Sequence, residues 1–66
     1  MDIMSTLTPR EREIVALLMA GAKPREIKAS MCIEQSTLRQ HLRNARAKAD
    51  ARTTAQLIAK VAREIE

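Results

Sequence analysis

Apolar residues recur along this chain at three- and four-residue intervals, the spacing of one helical face, and nowhere in strand-like alternation. Ile14, Leu17 and Leu18 mark a first helix, and the residues around them mark its ends. Thr8 can accept a hydrogen bond from a free backbone amide while Glu11, three residues on, reciprocates. Pro9 suits the first helical position, where its missing N–H would be unpaired anyway. Gly21 fits the C-terminal stop, where a left-handed residue is wanted, and Leu7 can pack back on the helix as a staple. Pro24 opens a second helix with Ile27 and Met31 one turn apart on its inner face. Cys32-Ile33-Glu34 forms a tight turn, with Ile33 pointing inward, before a third helix from about Gln35 to Lys48.

The third helix has two unlike faces. At 100° per residue, Leu38, Leu42, Ala45 and Ala49 fall on one stripe. Ser36, Arg39, Gln40, Arg43 and Asn44 fall on the opposite arc, with Thr37 at its edge. Thr53-Thr54-Ala55-Gln56 repeats the capping signal and opens a fourth helix, with apolar positions at Leu57, Ile58, Val61, Ala62 and Ile65. That set is too broad for one narrow contact with a small domain. The pattern predicts an all-α fold of four helices, with residues 1–6 as an N-terminal extension and residues 7–66 as the domain.

Composition sharpens this picture in three ways. With 66 residues and no aromatic side chain, the chain makes one small domain whose core rests on Leu, Ile, Val, Met and Ala. Met1, Met4, Met19 and Met31 read as core filler and N-terminal padding. The single cysteine, Cys32, has no internal disulfide partner and cannot build a zinc site with the single His41, which fits a reducing compartment. No apolar run reaches the roughly 18–20 residues of a membrane span, and no signal peptide opens the chain. These features point to a cytoplasmic protein. The initiating Met and well-placed caps suggest a complete small product rather than an excised domain.

Charge changes the functional picture most. Five basic residues balance five acidic ones up to Glu34, and two balance two from Thr53 onward. The entire formal charge of +4 therefore lies in residues 35–52, where Arg39, Arg43, Arg46, Lys48 and Arg52 oppose only Asp50. A helix with its positive charge concentrated on one face suits a polyanion, with DNA the first candidate. Arg39 and Arg43, one turn apart, could each fork onto guanine; Gln40 and Asn44 could pair with adenine; the Thr37 methyl could meet a thymine methyl, and Ser36 either base. His41, Arg46, Lys48 and Arg52, together with Thr8, Arg10, Lys23 and Arg25 from neighbouring helix starts, better suit phosphates. A solvated basic face remains the plain alternative. No Gly-rich phosphate loop, acid pair or nucleophile–base constellation is visible, so neither an enzyme nor a cofactor is expected.

The chain from about residue 5 to residue 62 resembles the LuxR/GerE-type helix-turn-helix domain. The likeness is carried by Leu7-Thr8-Pro9-Arg10-Glu11-Arg12-Glu13, Gly21, Glu26-Ile27, Ile33 and Thr37-Leu38-Arg39-Gln40-His41-Leu42-Arg43-Asn44. The last of these resembles that family's recognition helix. The chain departs from the family pattern at Lys28 (usually Ala), Glu34 (usually Ser), Ala45, Ala49 and Ala51 (usually larger) and Asp50 (usually Gly). Region four of sigma factors is similar in layout. The resemblance implies major-groove DNA binding, transcriptional control and dimerisation through the fourth helix, with Leu57, Val61, Ala62 and Ile65 as the expected seam of a homodimer. The other functional expectation is an interaction module that modulates a larger LuxR-type regulator or contacts RNA polymerase.

Overall fold

In the computed structural model, residues 2–65 are described; Met1 and Glu66, the outer ends of the extension and domain set out above, lie outside them. Five helices follow in order: α1 (Ile3–Thr6), α2 (Pro9–Met19), α3 (Pro24–Met31), α4 (Gln35–Ala49) and α5 (Thr54–Ile65). The four expected helices are α2 to α5. The additional single turn, α1, falls in the segment read as an extension, and Asp2 caps it by accepting from the Ser5 amide at 2.8 Å. Ile3 and Met4 pack against the core, and the Ile3 amide donates to Glu64 at 2.7 Å, which ties α1 to α5.

Local chemistry sets the helix ends. Thr8 Oγ1 accepts from the Glu11 amide at 3.2 Å while Glu11 Oε1 accepts from the Thr8 amide at 3.0 Å, the reciprocal cap expected from sequence. Gly21, at φ 93°, ends α2: its amide donates to Leu18 O and that of Ala22 to Leu17 O, each at 3.0 Å. This is the Schellman arrangement. At α5 the reciprocal half is redirected. Thr53 Oγ1 accepts from the Gln56 amide as expected, but the Gln56 side chain accepts from the Arg52 amide at 2.7 Å.

Two further turns use left-handed residues other than glycine, Cys32 and Asp50, both at φ 54°. Cys32 closes α3 and lets the Ile33 amide reach Lys28 O at 3.1 Å, which turns the chain into α4. Asp50 does the same for α4, with the Ala51 amide on Arg46 O at 2.8 Å. Asp tolerates this conformation better than Cys does, because its short polar side chain can bond locally. Cys32→Gly is therefore expected to stabilise the domain by about 0.5–1 kcal/mol. Asp50→Gly should gain less. Thermal unfolding of both variants checks the order.

The core forms two clusters. Leu7, Val15, Ala45, Ala49, Leu57 and Val61 join α2, α4 and α5, with Ile3, Met4, Ala51 and Ile58 against them. Ile14, Ile27, Met31 and Leu38 join α2, α3 and α4, with Leu17, Leu18, Ala22, Ile33 and Leu42 against them. Adjacent residues of α2, Ile14 and Val15, each enter a different cluster. Along α4, Leu38 and Leu42 serve one cluster and Ala45 and Ala49 the other, so the predicted stripe is the spine of the domain. Of the alanines that replace larger residues, Ala45 and Ala49 are buried in the same cluster as Leu57 and Val61 of α5, and Ala51 is half-buried against it. Met31 is buried and Met4 half-buried, but Met19 is exposed and fills no core.

Candidate nucleic-acid interface

Because α4 buries one stripe in both clusters, its opposite side is forced outward. Ser36, Thr37, Arg39, Gln40 and Arg43 are exposed, and Asn44 is half-buried. Gln40 Nε2 donates to Asn44 Oδ1 at 3.2 Å, so two of the groups suited to adenine already face each other one turn apart. Their mutual bond is a neutral, exposed one that a base edge can replace at little net cost. Arg39 and Arg43 stand on the same arc, and among the described residues no side-chain hydrogen bond or ion pair engages either. The helix begins without a side-chain cap, since Glu34 makes none.

The phosphate candidates divide. Thr8, Lys23, Arg25 and Arg52 are exposed and His41 is half-buried. Arg46 is half-buried and its Nη1 donates to Thr54 Oγ1 at 3.4 Å. Lys48 is committed elsewhere: its Nζ lies 2.7 Å from Glu11 Oε1. Of the phosphate candidates, Lys48 is thus the one paired with a carboxylate within the chain, with its side chain 35% exposed. Sequence spacing offered no clue, because the partners lie 37 residues apart and Glu11 already had a role in the α2 cap.

Glu11 is the one buried charged residue among the described residues, only 2% exposed. Burial pushes its carboxyl up, but the hydrogen bond from Lys48, that from the Thr8 amide and the charges of Lys48 and His41 together outweigh it. The net result is a carboxyl held below its ordinary value of 4.5. With the folded value below the unfolded one, the ionised group contributes stability that is fully present above pH 4.5 and disappears as pH falls through the folded value. Glu11→Gln lacks this contribution. The gap in melting temperature between wild type and Glu11→Gln should therefore be widest near neutrality and close on acidification below pH 4.5. A gap unchanged between pH 7 and pH 3 contradicts the assignment.

Lys60 is a second residue the sequence did not single out. From α5 its Nζ donates to Ala49 O at 3.1 Å and Asp50 O at 2.8 Å, placing a cation on the unpaired carbonyls at the end of α4. The signal was a basic residue placed to reach a helix C-terminus, but only the α4–α5 packing shows which helix it serves.

The expected dimer seam is also changed. Leu57 and Val61 are 0% exposed within the single chain, so neither can meet a second subunit. Their side chains close the core between α2, α4 and α5. Of the expected seam, Ala62 is half-buried and Ile65 is 65% exposed.

A short helix pair with a tight turn, an outward polar arc on the second helix and a closing C-terminal helix make up this domain. The sequence profile described as "Bacterial regulatory proteins, luxR family" matches residues 5–61. The chain belongs to this luxR family. It is a DNA-binding, transcription-regulating domain of the helix-turn-helix type. It is similar to the "Transcriptional regulatory protein MctR" of Rhizobium johnstonii, 42% identical over 52 residues that make up 79% of this chain and 24% of that protein. It is also similar to the "Monoamine regulon transcriptional regulator" of Klebsiella aerogenes, 36% identical over 59 residues, 89% of this chain and 26% of that protein. The chain thus spans about a quarter of the length of these curated relatives. No solved structure matches it. Among the described residues, no helix of this LuxR-type domain is long and apolar enough to cross a membrane.

Proposed function

We propose that this LuxR-type domain regulates transcription by seating α4 in the major groove of double-stranded DNA. The observation that carries the reading is the outward arc of α4, where Ser36, Thr37, Arg39, Gln40 and Arg43 stand exposed while the opposite stripe is locked in the core. Arg39 and Arg43 are assigned to guanine edges, Gln40 and Asn44 to adenine, and Ser36 and Thr37 to the adjacent base or methyl. Thr8, Lys23, Arg25, His41, Arg46 and Arg52 are assigned to backbone phosphates, which fix register without reading sequence. Two copies related by a two-fold axis present recognition helices one DNA turn apart, about 34 Å, and so match an inverted repeat. In that homodimer the seam is restricted to Ala62, Ile65 and their exposed surroundings on α5.

Binding to host genomic fragments, measured at rising salt, tests this. Counterion release makes log K fall linearly with log salt, with a slope of about −0.9 per phosphate neutralised. A slope between roughly −3.6 and −5.4 is expected from four to six such contacts. The absence of binding even at about 50 mM salt overturns the reading.

A further inference from the structure

The basic charge of this domain and its DNA-facing charge are not the same quantity. Of the five cations in residues 35–52, Lys48 is held 2.7 Å from a carboxylate, and that carboxylate is only 2% exposed. Glu11 cannot turn away to solvent, because its Oε1 also receives the Thr8 amide at the start of α2. His41, two helical turns before Lys48, lies on the same side of α4. Lys48 itself keeps about a third of its side chain exposed, 35%, so it remains near the surface of the flank it shares with His41.

We infer that Glu11 is a positioning residue for DNA binding, which cancels the charge of Lys48 and withholds one cation from the phosphate-binding count of α4. An ammonium already neutralised by a buried carboxylate adds no net attraction to a phosphate and releases no counterion. The pair joins the first turn of α2 to the last turn of α4, and it sets how much positive charge the recognition helix offers. Neutralising Glu11 returns that charge to the flank. This inference rests on the DNA-binding reading above, and its test includes a readout that needs no DNA.

The salt slope of binding to a random-sequence duplex is compared for wild type, Glu11→Gln, Glu11→Gln with Lys48→Met, and Glu13→Gln. Glu13 is exposed on α2, and its substitution raises net charge by the same amount. Glu11→Gln is expected to steepen the slope by about 0.9, the value of one phosphate contact. Adding Lys48→Met should restore the wild-type slope, and Glu13→Gln should change it by much less. Equal steepening by Glu11→Gln and Glu13→Gln overturns the inference, since net charge alone would then explain both. In parallel, free protein is treated with an amine-reactive ester and the lysines are mapped by mass spectrometry. Lys48 should label several-fold more slowly than the exposed Lys23 in wild type, and faster in Glu11→Gln. Equal rates at Lys48 and Lys23 in wild type overturn the withholding of Lys48 whether or not DNA binds. Failure of every variant to bind duplex, with Lys48 still protected, defeats the DNA reading and with it the role of the pair in binding. If Glu11→Gln does not fold, the wild-type labelling ratio alone decides.

Discussion

Val61→Asp unfolds this domain. Val61 is completely covered by its own chain and lies in the cluster with Leu7, Val15, Ala45, Ala49 and Leu57. An aspartate there places a carboxylate among aliphatic groups, and no described buried polar atom nearby is left wanting a partner. Burying an unpaired charge in this way belongs to the small class of substitutions that cost more than about 4 kcal/mol. At roughly 0.05–0.15 kcal/mol per residue, a chain of this length has about 3–10 kcal/mol in total. Loss of helical circular dichroism at 25 °C is the expected result. A Val61→Asp protein that melts within a few degrees of wild type would show that the α5 packing is wrong. Ile65→Asp is the informative contrast: Ile65 is largely exposed, so the change should stay within about 0.5 kcal/mol. Ile65→Asp is therefore the variant that tests self-association, and sedimentation can follow it without the confusion of unfolding.

Replacing Arg39 and Arg43 together with alanine should abolish sequence-selective binding while leaving the melting temperature nearly unchanged. Both are exposed, so the core does not depend on them. If each guanidinium forks onto a guanine, each is worth about 1–3 kcal/mol of discrimination, and the pair together roughly 10² to 10⁴ in affinity for the preferred site. The loss should fall on the preferred site far more than on random duplex. Arg52→Ala should do the opposite, weakening every duplex alike and flattening the salt slope by about 0.9, the signature of a phosphate contact. A double variant that weakens specific and random DNA equally would move Arg39 and Arg43 to the phosphate class. The measurement is a titration of a selected site and a scrambled one at two salt concentrations.

Much of this domain was legible in the order of its residues, because the features concerned are local. The reciprocal cap of Thr8 and Glu11, the left-handed stop at Gly21 and the two-faced α4 each depend on residues within a turn or two of one another. Short-range hydrogen bonding and helical periodicity determine such features before any tertiary contact forms. The same locality placed Arg39, Gln40 and Arg43 on one arc, which is why the candidate surface was visible without a structure.

Other assignments failed where one sequence feature admits two tertiary uses. A broad apolar face on α5 can close its own core or meet a partner, and periodicity does not distinguish them. The structure spends Leu57 and Val61 inside and leaves Ile65 outside. The turn α1 was not foreseen, because a four-residue helix has too few internal bonds to form alone and exists by packing on α5.

Sequence by itself determined the four main helices, the turn between α3 and α4, the placing of the whole net charge in residues 35–52 and the family. Only the tertiary structure decided which of those charges are free. Lys48 meets Glu11 across 37 residues of chain, and Lys60 closes the end of α4 from another helix. Pairing of charges depends on distance in space, and that distance is fixed when α2, α4 and α5 pack around their shared core.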